Sequence, residues 1–181
     1  MEKIKDLNDL YNSAHAFQTI FSQLIINDTI NGKTEIVIIE NGSICIDIYV
    51  GSLQAVTLIG SVAWASAVLY KKIQEGKVMF EQVKSLEIKN ESLKDIQMAQ
   101  KEQLSQMLEI EARNIQINHF SNQDNSEQFE RIKLSISLLS EQLEKGSKIH
   151  PQLNAPEDVK NLFPNMGNLI GVESKIKQLK E

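Results

Sequence analysis

The stretch CIDIYVGSLQAVTLIGSVAWASAVLYKK, residues 45–72, decides how the chain folds. It opens as a strand in which Ile46, Ile48 and Val50 share one face with Ile44, while Cys45, Asp47 and Tyr49 share the other with Ser43. Gly51-Ser52 breaks that alternation, and Ser52 is placed to cap the helix that follows. No charged residue occurs from Ile48 to Tyr70. Crossing a bilayer takes about 20 apolar residues, and residues 52–70 supply almost that many, with Trp64 and Tyr70 toward the end and Lys71-Lys72 directly after, as at a cytoplasmic interface. Gln54, Thr57, Ser52, Gly60, Ser61 and Ser66 dilute the run. Gly60, Ala63 and Ala67 lie along one strip with Ser66 close to it, so two such helices can approach closely. That arrangement serves a helix pair in lipid and a soluble bundle of several subunits equally, and a third burial, against the chain's own hairpin, is also open.

Upstream, Ile4, Leu7, Leu10, Tyr11, Ala14, Phe17, Phe21, Leu24 and Ile25 recur at spacings of three and four, which predicts an amphipathic helix over residues 4–26. Turn formers from Asn27 to Gly32 end it. Two β-branched runs, TEIVIIE and SICIDIYV, flank Asn41-Gly42, the dipeptide whose two residues both accept positive φ, so a β-hairpin is expected with strands near 33–40 and 43–50. The preceding helix should cover its apolar face.

Downstream, Glu, Lys, Gln, Leu and Ile dominate from Lys71 to about Phe120, with Gly76 the one weak point in a run of strong helix formers. Val83, Leu86, Asn90, Leu93, Leu104 and Met107 fit a and d positions of a heptad, and Gln97, Gln100 and Glu111 fall on the same seam. A loose or register-specific coiled coil fits such a seam. The polar run SNQDNSE, residues 121–127, separates this helix from another, with Asn125 and Gln128 spaced as a capping box. Phe129, Ile132, Ile136, Leu139 and Leu143 then repeat at 3, 4, 3 and 4, and Lys145-Gly146 ends the helix. Such a helix can fold back on the long one or pair with another subunit. All three prolines, Pro151, Pro156 and Pro164, lie in the tail, where a short helix is expected near Pro156 and a final amphipathic helix is marked by Leu169, Val172, Ile176 and Leu179.

A net charge of −5, a pI near 5.3 and scattered lysines argue against a nucleic-acid binder. One cysteine, Cys45, leaves no intramolecular disulfide and fits a reducing compartment. The first 20 residues carry charges throughout and do not read as a secretory signal. His15, His119 and His150 are far apart in sequence, Cys45 has no histidine near it, and none of the metal, nucleotide or acyl-transfer motifs occurs, so neither a catalytic residue nor a cofactor or metal site is assigned.

The run from the second strand through Gly51-Ser52-Leu53 and the apolar helix into a charged helix, about residues 34–115, resembles small bacterial conflict-system adaptor proteins of the TRADD-N-like type. Leu53 stands where proline is common in that class. The resemblance implies an adaptor or sensor that oligomerises in antiphage defence.

The expected architecture is α+β: a head over 1–51, an apolar helix over 52–72, a long charged helix with coiled-coil character over 73–120, a heptad helix over 126–146 and a tail over 147–181. The expected partner is the chain itself, as a homo-oligomer joined through Gly60, Ala63, Ala67, Val83, Leu86, Leu93, Leu104, Phe129, Ile132, Ile136, Leu139 and Leu143. A second protein could meet the head or tail, and a membrane could take the apolar helix, which puts the chain in the cytoplasm or at the inner membrane. The expected role is a non-catalytic scaffold or adaptor, the alternative being an effector whose clustered apolar helices perturb a bilayer.

Overall fold

The computed structural model of the chain describes residues 6–39, 45–86, 90–121 and 125–178. Helix α1 (Leu7–Ile25) is followed by strands β1 (Glu35–Ile39) and β2 (Ile46–Tyr49), then by helices α2 (Leu53–Ser85), α3 (Asn90–His119) and α4 (Ser126–Glu144). The tail holds α5 (Glu157–Lys160), a 3₁₀ turn at Leu169–Gly171 and α6 (Lys175–Gln178). The fold is α+β, with, among the described residues, one antiparallel pair of strands and a bundle of four long helices.

Local chemistry sets the helix ends. Asp6 accepts from the Asp9 amide, Ser52 from the Ala55 amide and Asn125 from the Gln128 amide, so each helix start has one otherwise unpaired donor satisfied. Beside the α4 cap, the buried Gln128 Nε2 has no hydrogen-bond partner. Gly146, at φ 94°, closes α4 as a Schellman turn, with its own amide on Leu143 O and the Ser147 amide on Gln142 O. Asn27 Oδ1 accepts from the amides of Thr29 and Ile30 and so builds the turn after α1.

The helix expected over 73–120 is not continuous. Apolar helix and charged helix share α2 as far as Ser85, and α3 runs back antiparallel, since Gly76 faces Gln100 and Ser61 faces His119. Reversal lets Ala112, Ile115 and Phe120 bury against the apolar half of α2. Burying Ile and Phe side chains is worth about 1.5–3 kcal/mol each, whereas each backbone hydrogen bond given up to water at a helix end costs about 0.5–1.5 kcal/mol. Tertiary burial therefore wins over a run of helix formers.

One main core joins Ile20, Phe21, Leu24 and Ile25 of α1, Leu58, Ile59, Val62 and Leu69 of α2, Ala112 and Ile115 of α3, and Ile132, Ile136 and Leu139 of α4. Helix α4 runs parallel to α2, with Ser66 beside Ile136 and Lys77 paired to Glu144. The expected cover of the hairpin by α1 is not what forms: α1 packs chiefly on α4 and α2. The apolar stripe of α1 is long, and two strands of five and four residues offer it less to bury than two long helices do. The strands pair antiparallel, Ile36 opposite Ile48, with a bulge between Ile36 and Ile38. Ile48 and Val50 touch the core while Ile36, Val37, Ile38 and Ile46 stay exposed. The Asn41-Gly42 turn lies outside the described residues. The final amphipathic helix also resolves differently: Leu169 sits in the 3₁₀ turn, Val172 is extended, and among the described residues of this stretch the α-helix is Lys175–Gln178. Leu179 lies outside the described residues.

Candidate functional site

Helix α2 divides into two halves with opposite surroundings. Its first half is enclosed: Leu58, Ala63 and Ala67 have no exposure, and Val62 has 1%. The Ser66 hydroxyl, fully buried, lies 2.7 Å from Val62 O and 3.1 Å from Ile136 O, so its single hydrogen is shared between its own helix and α4. Of the described residues α2 alone is long and apolar enough to cross a membrane by length and composition; an 18-residue window within it has mean hydropathy 1.5, and 61% of that window is buried within this chain.

The residues expected to join copies fall into three places. Ala63, Ile132, Ile136 and Leu139 belong to the main core of one chain, and Ala67 and Leu143 to a second cluster with Val68 and Val172. Gly60 faces the tail, where a Cβ would meet Leu162 at 3.0 Å. Phe129 is half-buried at the rim, with the Arg113 guanidinium 4.3 Å and the Lys133 ammonium 5.3 Å from its ring. Leu104 is half-buried against the core. Val83 and Leu93 are half-buried and Leu86 is 70% exposed, all beyond the bundle.

That outer part is a two-helix arm. Helix α4 ends beside Lys77, and between residues 77 and 110 none of the described residues is buried. From Gly76 to Ser85 the arm extends roughly 14 Å at 1.5 Å per residue. At its root Gly76, Lys77, Phe80, Glu81, Gln97 and Gln100 line an open surface groove of about 400 Å³.

The tail holds contacts that composition and spacing did not reveal. Trp64 Nε1–H donates to Glu173 O at 2.8 Å, and the Lys175 ammonium sits 3.9 Å above its ring. Lys71 donates to Val172 O at 3.0 Å. In this fold, residues that resembled membrane-interface markers fix the tail to α2. Glu111, 6% exposed, accepts from Ser174 Oγ at 2.5 Å, and burial holds its carboxyl above the ordinary carboxylate range. Burial also lowers the Lys175 ammonium.

Ser61 Oγ and His119 Nε2 stand 2.9 Å apart, the one pair here that invites a catalytic reading. Ser61 Oγ also reaches Thr57 O at 3.0 Å, and burial lowers the His119 pKa, which favours the neutral ring. No carboxylate orients that ring among the described residues, so the geometry is that of a hydrogen bond joining α2 to the end of α3. Among the described residues no group of three or more His, Cys, Asp or Glu side chains is placed to hold a metal.

No family model matches the chain, and no solved structure matches it. It is similar to the uncharacterized protein YqaP of Bacillus subtilis (strain 168), 27% identical over 169 residues. The match takes in 91% of this chain and 54% of the relative, so the chain spans about half the length of the protein it resembles.

Proposed function

We propose that this chain is a non-catalytic helical scaffold or adaptor that self-associates through the α2/α3 arm. The observation that carries the reading is the arm itself, which projects past the bundle with Val83, Leu86 and Leu93 incompletely covered. A second arm laid against it would complete a four-helix arrangement of the kind that antiparallel helical hairpins form in pairs. Charge favours a second copy as the partner. Over residues 77–102, Lys77, Lys84, Lys89, Lys94 and Lys101 balance Glu81, Glu87, Glu91, Asp95 and Glu102, although the whole chain carries −5. Two neutral arms meet without the repulsion that the rest of the surface would impose.

The role in antiphage defence rests on the sequence resemblance alone, and the enclosure of α2 by its own chain favours the scaffold over the membrane effector. The test is the light-scattering mass of the full chain in detergent-free buffer, beside the variant Val83→Glu with Leu93→Glu. The expected result is a dimer or larger for the natural chain and a monomer of unchanged helix content for the variant. Equal masses for the two would refute the arm as the contact.

A further inference from the structure

Glu111 is the one buried acid among the described residues, and it sits where α3 meets the tail. Its partner there is a single hydroxyl, Ser174 Oγ at 2.5 Å. The cations of the surrounding elements are turned to other groups. On the tail, the Lys175 ammonium lies 3.9 Å from the centre of the Trp64 ring. On α2, Lys71 donates to Val172 O and Lys72 pairs with Glu75. On α4, Lys133 pairs with Glu130 and Glu109, and Arg131 with Glu127, while Arg113 of α3 lies over the Phe129 ring. The other titratable groups at this junction are the exposed Glu173 and His119, which lies two turns further along α3 and is bonded to Ser61. A carboxylate without a cation costs free energy when it ionises away from water. The tail ahead of this contact is firmly anchored: Phe163, Pro164 and Val172 are buried, and Leu162, Met166 and Leu169 are half-buried. Beyond Val172 polar contacts take over, with Glu173 O on the Trp64 indole, Ser174 on Glu111 and Lys175 over the indole ring.

We propose that residues 173–178 are a proton-sensitive strap, closed over Glu111 and Trp64 while the Glu111 carboxyl is neutral and opening locally from Val172 onward when that carboxyl ionises. Opening returns Glu111 to water, where it loses its proton in the ordinary carboxylate range, so closing the strap takes a proton up. Burial is the larger influence on Glu111 in the closed state and raises its pKa, while the Ser174 hydroxyl pulls the other way. Closing is therefore strongest below pH 4.5 and weakens as pH rises through the raised value. Each pKa unit between the two states changes the ratio of open to closed about tenfold. Burial lowers the pKa of both His119 and Lys175, so these two groups favour closing as pH rises. A strap that loosens toward alkaline pH is thus the work of Glu111. The buried anchor from Phe163 to Val172 stays in place, which confines the opening to the end of the tail.

The chain has one tryptophan, so the Trp64 Nε1–H that donates to Glu173 O gives a single indole resonance. Its protection from solvent exchange, corrected for the intrinsic pH dependence of indole exchange, measures how far the strap is closed. The full chain is read at a dilution where light scattering reports a single subunit, so that self-association does not enter. Protection is expected to fall at least twofold from pH 4.5 to pH 8 while the amides of α4 keep theirs. Glu111→Gln should abolish the fall and hold protection at pH 8 at its acid level. Ser174→Ala serves if Glu111→Gln unfolds the chain, because it removes the one donor to the ionised carboxylate. Its ratio of protection at pH 4.5 to that at pH 8 should exceed that of the natural chain, whereas a hydroxyl that is merely a contact would lower protection equally at both. Protection that stays constant or rises toward pH 8 overturns the proposal. So does a fall of the same size in Glu111→Gln, an unchanged ratio in Ser174→Ala, or an equal loss in α4, which would mark opening of the whole bundle.

Discussion

Two titratable side chains work in opposite directions under the tail and at the end of α3. Burial raises the Glu111 pKa above its unfolded value of 4.5, so the native state holds more protons than the unfolded one above that pH, and stability falls as pH rises through the folded value. Burial lowers the His119 pKa below 6.5, so the unfolded state holds more protons there, and this contribution to stability is lost as pH falls below 6.5. Glu111→Gln keeps an acceptor for Ser174 and removes the buried charge. It should raise Tm at pH 8 and change it little at pH 4.5, as read by thermal melts followed by circular dichroism; a drop in Tm at pH 8 would contradict the burial argument. His119→Gln should flatten the loss of stability below pH 6.5. Ile136, fully buried between the helices, should cost about 2–5 kcal/mol on truncation to Ala, measured by denaturant unfolding. Single residues were unevenly legible in the sequence. Ser52, Asn125 and Gly146 announce their roles because caps depend on one residue and its neighbours. Trp64 and Lys71 do not, because an aromatic followed by lysines is equally the mark of a membrane edge, and the carbonyls they meet lie about a hundred positions away.

At the scale of elements, the heptad of α4 was readable because Ile132, Ile136, Leu139 and Leu143 are all buried on one face. The break between α2 and α3 was not. From Lys77 to His119 strong helix formers dominate, and the reversal is decided by contacts such as Ser61 with His119, which no window along the chain contains. The apolar half of α2 left lipid, copies and its own hairpin all open as covers, and the answer here is α1, α3 and α4, helices whose apolar stripes were visible one by one but whose mutual arrangement was not. At the root of the arm Gly76 lets α3 approach closely, since the Gln100 amide occupies the space a Cβ would take. Gly76→Ala combined with Gln100→Ala removes that collision and should stabilise the arm by about 1 kcal/mol through helix propensity. Slower hydrogen exchange over residues 77–85 would register the gain, and faster exchange would show that the Gln100 side chain holds the two helices together.

For the whole molecule, the decisive matter is where the apolar surface of α2 goes. Within one chain, α1, α3, α4 and the tail take it up. The most direct measurement is hydrogen exchange of residues 55–69 in detergent-free buffer, at a dilution where light scattering reports a single subunit. Exchange there as slow as in α4, from protein that stays in the supernatant after ultracentrifugation, is the predicted result. Rapid exchange over those residues in the lone subunit, with protection returning only on association or on adding lipid, would contradict it.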